Sequence, residues 1–211
     1  MASAIWTVSG RWLASATIVL AVALAAGSAF AERISGPRPD QQMIADQPGY
    51  EATQDEEQLP QQYQKQMVFF RTTEAPGTIV VNTAERFLYI VQGNNRALRY
   101  GIGVGRDGFQ WFGMKRIERK AEWPDWRPPP EMIERQPYLP RFMAGGPGNP
   151  LGARALYLGE TVYRIHGTNQ PQTIGQSVSS GCFRLVTPDV IDLFDRVPVG
   201  TKVVVRQTPE M

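Results

Sequence analysis

The 211 residues contain one cysteine, Cys182, and one histidine, His166. A single cysteine excludes an internal disulfide, and one histidine with one cysteine and no clustered carboxylates does not supply an ordinary zinc set. Neither a metal nor a cofactor is expected. The formal charge is only +2, and the stretch before Glu32 contributes a single cation, Arg11. Neither nucleic acid nor an anionic membrane is therefore indicated as a partner. No internal repeat is present, and no second apolar run matches the one near the N-terminus.

That run, from Trp12 to Ala26, ends in Ala29-Phe30-Ala31 before Glu32. Residues 1–31 read as a secretory signal peptide cleaved after Ala31, with an uncleaved membrane anchor as the rival reading. There is no twin arginine, and no cysteine near the cleavage site to carry a lipid. The expected location is the periplasm or cell envelope, and the remainder is expected to be soluble. An exported chain with one free thiol calls for an explanation, and chemistry is the simplest.

Residues 32–76 are read as a polar, disordered or loosely held spacer, because 32–66 are rich in Gln, Asp, Glu and Pro and poor in aliphatics. Such segments bury too little surface to offset their ordering entropy. From Gly77 the pattern changes to short β-branched and aromatic runs separated by turn residues. Thr78–Asn82 and Arg86–Gln92 read as strands, and Gly93-Asn94-Asn95 marks a hairpin leading into Ala97–Val104. Further strands are expected at Ala155–Leu158, Val162–Ile165, Phe183–Val186 and Thr201–Arg206. One helix is signalled by Thr187 as N-cap, Pro188, Asp189 and the spacing of Val190, Ile191, Phe194 and Val197. Residues 77–206 thus read as one mostly β domain, a sandwich or barrel with one or two short helices, and 207–211 as a tail.

Gly101-Ile-Gly-Val-Gly-Arg-Asp-Gly108 imitates a dinucleotide fingerprint, but its spacing is wrong and no helix follows. It reads as a strand ending in a Gly-rich turn. Trp123-Pro-Asp-Trp-Arg-Pro-Pro-Pro130 reads as a rigid loop rather than a polyproline ligand for a partner, its rings being candidates for one wall of a substrate cleft, and Gly145–Gly152 reads as a tight loop.

The chemistry resides in Ile165-His166-Gly167-Thr168-Asn169 and Ser179-Ser180-Gly181-Cys182-Phe183-Arg184. A thiol with a pKa of about 8.5 is only a few per cent thiolate at neutral pH, so a nucleophilic Cys182 needs a base, and His166 is the only imidazole. Gly181 permits close backbone approach to a reacting carbonyl, and the amides of Gly181 and Cys182 are candidates for receiving an oxyanion.

Together these motifs resemble the signature of the L,D-transpeptidase catalytic domain, found in exported bacterial enzymes acting on peptidoglycan. The likeness covers about residues 77–206 and includes Asn149-Pro-Leu-Gly152 and the Trp-Pro loop. The resemblance implies a β-sandwich with Cys182 as nucleophile, His166 as proton donor and acceptor, and a carbonyl near Gly167 or Thr168 orienting the imidazole. Arg184 would help shape the site. Many members carry a histidine two positions before the cysteine; here that position is Ser180.

The implied reaction is acyl transfer. Cys182 would cleave the bond between the L-centre of a diamino acid and the terminal D-Ala of a tetrapeptide stem. An amine of another stem, or of an envelope protein, would resolve the thioester. Carbapenem-type inhibitors would acylate the same thiol. Alternatives are an L,D-carboxypeptidase or stem-peptide hydrolase using the same pair, and a non-catalytic wall-binding protein. Papain-like peptidases place Cys before His, and sortase-like enzymes separate the two much further.

Overall fold

The structure, a computed structural model, describes residues 48–49, 51 and 58–208, all within the unit Ser35–Met211. The signal peptide read at 1–31 and the end of the tail lie outside the described residues. Among the described residues, eleven strands run in the order β1 (Gln66–Phe69), β2 (Ile79–Asn82), β3 (Phe87–Gly93), β4 (Arg96–Gly101), β5 (Val104–Gly105), β6 (Gly113–Glu122), β7 (Arg154–Leu158), β8 (Arg164–Gly167), β9 (Ser177–Ser179), β10 (Phe183–Leu185) and β11 (Lys202–Arg206). Helix α1 spans Pro130–Arg135 and α2 Thr187–Arg196.

Nine strands are bonded in the order β1-β4-β3-β2-β11-β6-β7-β8-β10, and β5 pairs with β9. The ten-residue β6 joins two layers. Its first half pairs antiparallel with β11, and its second half, past an irregularity between Ile117 and Arg119, pairs with β7. The main core lies between them, with Ile79, Leu88, Tyr100, Leu156, Ile165, Phe183 and Leu185 fully or almost fully buried. Helix α2 contributes Val190 and Leu193 to the same core. This is the mostly β sandwich with short helices that the sequence implies.

The β3–β4 hairpin forms where it was read, because Asn94 and Asn95 both take positive φ, 52° and 53°, the conformation that matches a two-residue turn to strand twist. Strand β6 escapes sequence reading. Its Gly-Met-Lys-Arg-Ile-Glu-Arg-Lys-Ala-Glu buries only Ile117 fully, so no period-two apolar pattern exists. Pairing on both edges and the stems of its cations hold it instead. The Arg119 guanidinium covers the Tyr157 ring at 3.6 Å, and Lys120 Nζ donates to the carbonyls of Phe194 and Val197 at 2.5 and 2.9 Å, closing the C-terminus of α2.

Two expectations need correction. The spacer read at 32–76 is not wholly disordered, since residues 58–76 are built into the domain. Leu59 packs with Ile174 and Val186, Phe70 is buried, and β1 adds an antiparallel edge to β4. Tyr63 occupies a notch between two glycines, where a Cβ on Gly101 would meet its Cβ at 2.6 Å and one on Gly175 its ring at 2.4 Å. Leu59, Tyr63 and Phe70 dock, whereas Met67 and Phe69 stay exposed. Thr187 is also not the N-cap of α2. Val186 holds that position in extended geometry, and no side chain caps the helix. Thr187 and Pro188 therefore fill the first helical turn, where a missing amide costs nothing.

Candidate active site

The parallel pair β8 and β10 sets His166 in register with Arg184, and Cys182 stands immediately before β10. β7 flanks the other side, with Ala155 opposite His166. The imidazole is 4% exposed. Its Nδ1 lies 2.5 Å from the carbonyl of Gly167, so the proton on Nδ1 is donated there and Nε2 is the acceptor. Of the two carbonyls suggested by the sequence, Gly167 makes this contact. Thr168 shapes the loop instead, its Oγ1 accepting the Gln170 amide at 3.0 Å.

Cys182 emerges from a turn held by a residue that sequence reading passed over. Ser179 Oγ donates to the Cys182 carbonyl at 2.6 Å and accepts the Gly181 amide at 3.2 Å. Gly181 has φ 102°, and a Cβ there would lie 2.7 Å from Tyr163 Cε1, so only glycine fits. The Trp111 indole donates to the Gly181 carbonyl at 2.8 Å and stacks on Tyr163 at 4.7 Å. The Gly181 amide, read as an oxyanion donor, is thus engaged with Ser179 in this state. Ser180 plays a different part from Ser179, because its Oγ accepts from Arg135 Nη2 at 3.3 Å.

The glycine-rich stretch that imitates a nucleotide loop supports this turn. Gly103 exchanges both backbone hydrogen bonds with Arg184, at 3.0 and 2.9 Å. A Cβ on Gly105 would come within 3.1 Å of Gly181 Cα. On the histidine side, Asn149 is 1% exposed. Its side-chain amide donates to the carbonyls of Pro124, Met143 and Ala144, and its Oδ1 accepts the Leu151 amide at 2.8 Å. These bonds tie the Trp-Pro loop to the segment that backs His166. The available signal was a buried-type Asn in a Gly/Pro loop.

His166 and Cys182 line one narrow, open cleft. Trp126, Met132, Leu151 and Val162 form its apolar side, and Arg164, Ser179, Ser180 and Arg184 its polar side. Trp126 and Pro129 supply the wall expected of the Trp-Pro loop, whereas Trp123 borders a neighbouring pocket with Thr168 and Thr187. Burial drives the His166 pKa down to about 3; the charges of Arg184 and Arg164 add to this, and backbone hydrogen bonds at Gly167 and Leu151 oppose it. Burial pushes the Cys182 thiol up, while Arg164 and Arg184 act against that rise. At neutral pH the cleft therefore holds a neutral thiol and a neutral imidazole. Among the described residues, no three His, Cys, Asp or Glu side chains are grouped to hold a metal ion.

A family model for the YkuD L,D-transpeptidase catalytic domain matches residues 76–205. The chain is 43% identical over 140 residues to the probable L,D-transpeptidase ErfK/SrfK of Escherichia coli K12; the match takes in 62% of this chain and 44% of that protein. It therefore spans less than half of that relative's length. A crystal structure from Brucella melitensis, described as a probable carnitine operon oxidoreductase, shares 51% identity, covers 70% of this chain and 95% of that one, and superposes with a TM-score of 0.47. The fold is also similar to that of the Ldtfm-avibactam carbamoyl enzyme, with a TM-score of 0.51, 18% identity, and 64% and 51% of the two chains covered.

Proposed function

The chain belongs to the L,D-transpeptidase catalytic-domain family, and from that premise we propose that it is a peptidoglycan L,D-transpeptidase with Cys182 as its nucleophile. The observation that carries this reading is the meeting of the only thiol and the only imidazole in one cleft, with Nδ1 of His166 bonded to the Gly167 carbonyl. That bond fixes the ring and supports the tautomer in which Nε2 is the basic nitrogen.

In the proposed reaction, Cys182 Sγ attacks the carbonyl carbon joining the L-centre of the diamino acid to the terminal D-Ala, and its proton passes to His166 Nε2. Because imidazolium is strongly disfavoured at this site, the proton is held only briefly. It returns to the departing amine as the C–N bond breaks, leaving D-Ala free and a thioester on Cys182. An acceptor amine then attacks the thioester, gives its proton to His166, and departs as the new amide while the thiol is restored. In this reading the amide of Cys182 receives the oxyanion, and that of Gly181 joins it by exchanging its bond with Ser179. In the resting state the thiol donates to the Val162 carbonyl at 3.8 Å, a weak bond that it gives up when its proton passes to the imidazole.

The stretch at 1–31 supports export to the periplasm or cell envelope, where such stems occur. The test is incubation of the purified chain with disaccharide tetrapeptide, with products read by mass spectrometry. Crosslinked dimer with release of D-Ala is the expected result. Tripeptide alone would mean that water is the acceptor, and the absence of both products would overturn the reading.

A further inference from the structure

Arg135, at the end of α1, does not pair with Glu131 one helical turn back, although an acid four positions before a base is the favourable order on a helix. It reaches instead to Ser180, a residue that lines the cleft, donating from Nη2 to its Oγ at 3.3 Å. Its guanidinium also lies 4.9 Å from the centre of the Phe109 ring. Arg106 covers the same ring at 4.2 Å and donates to the Val178 carbonyl at 3.5 Å. Two like charges thus share one phenyl ring beside the cysteine turn, where the Phe109 carbonyl would lie 3.0 Å from a Cβ on Gly181. Among the described residues, no carboxylate forms an ion pair with Arg135.

Two guanidinium groups with a hydroxyl between one of them and the nucleophile make a carboxylate-binding arrangement. We propose that Arg135, with Arg106 beside it, is a specificity-determining subsite for the C-terminal carboxylate of the acyl donor, the one borne by the residue that leaves. The proposal rests on the transpeptidase reading of the cleft. In such a donor this carboxylate is one residue beyond the scissile carbonyl, a span of about 3.5 Å. Ser180, two positions before Cys182 and lining the same cleft, carries Arg135 on its hydroxyl. Neither guanidinium touches the reacting bond in this assignment; their part is to choose donors that end in a free acid.

The test is equilibrium binding, which needs no turnover. The Cys182→Ser chain, with Arg135 intact or changed to Gln, is titrated with a tetrapeptide stem ending in D-Ala and with the same stem ending in D-alanine amide. R135Q is expected to weaken the acid-terminated stem about ten- to a hundredfold, the range for a hydrogen bond to a charged group, and to leave the amide stem unchanged. R135K, which keeps the charge but not the fork, should restore part of the loss. Equal weakening of both stems, an unchanged affinity for both, or no binding of either would overturn the proposal. Discrimination in binding together with no product from the Cys182 enzyme would instead sink the transpeptidase reading and leave the carboxylate subsite standing.

Discussion

Gly152 and Gly167 meet backbone to backbone. Gly152 has φ 63°, and a Cβ on it would lie 2.8 Å from both the Cα and the carbonyl carbon of Gly167. The carbonyl that orients His166 is therefore braced from behind by the Asn149–Gly152 loop, which Asn149 itself holds through three donated bonds.

Gly152→Ala should accordingly injure both stability and chemistry. The left-handed backbone costs an L-residue about 1–2 kcal/mol, and backbone rather than a flexible side chain stands in the way of the methyl group. The melting temperature is expected to fall by several degrees, and thiol acylation to slow more than destabilisation explains, as the Gly167 carbonyl is displaced. Gly159→Ala is the control. It also lies at positive φ, 56°, but meets only the end of the Lys115 side chain at 3.7 Å, so its acylation rate should remain at the wild-type level.

The adjacent serines should separate cleanly. Ser179→Ala removes two hydrogen bonds within the cysteine turn and should cost about 1–3 kcal/mol. Acylation should slow at least tenfold as Cys182 loses its fixed position. Ser180→Ala, at the cleft rim, should leave stability within about 0.5 kcal/mol. Denaturant titration and single-turnover acylation of the two variants check this, and equal stability losses would contradict the assignment.

Stability should depend on pH through two buried groups of opposite sign. His166 binds its proton at about 3 in the fold but near 6.5 when unfolded. The unfolded chain is therefore the first to be protonated, and stability should decline as pH falls from about 6.5 towards 3. His166→Gln should flatten that decline. Asp189 behaves in the reverse sense, because burial raises its pKa to about 6. Its contribution is fully present below about 4 and is lost as pH rises through 6. Asp189→Asn should thus raise stability at pH 7.5 by about 1–3 kcal/mol and change little at pH 4. Melting curves of both variants across this range give the answer.

How much of this could be read from the sequence follows from what each residue depends on. That His166 and Cys182 belong to one site was legible because each is the single residue of its type, and Gly181 because the turn demands glycine. The β3–β4 hairpin was legible because Asn94-Asn95 encodes its own turn. Ser179 was not, since only the turn geometry distinguishes it from Ser180. Strand β6 was hidden because its partners β11 and β7, far along the chain, supply its stability rather than an apolar pattern of its own. Helix α1, carrying Arg135, was hidden by the three prolines at 128–130, which read as loop although Pro129 and Pro130 in fact start a helix as N-cap and first residue. The docking of Leu59, Tyr63 and Phe70 was obscured by the polar composition around them.

The central claim is that Cys182 alone carries the acyl group. Intact-mass spectrometry of the chain after exposure to a carbapenem, followed by peptide mapping, tests it most directly. A gain of one inhibitor mass located on the peptide containing Cys182, absent in Cys182→Ala and slowed by several orders of magnitude in His166→Gln, is the predicted result. No adduct, or one mapped to any other residue, would contradict the account.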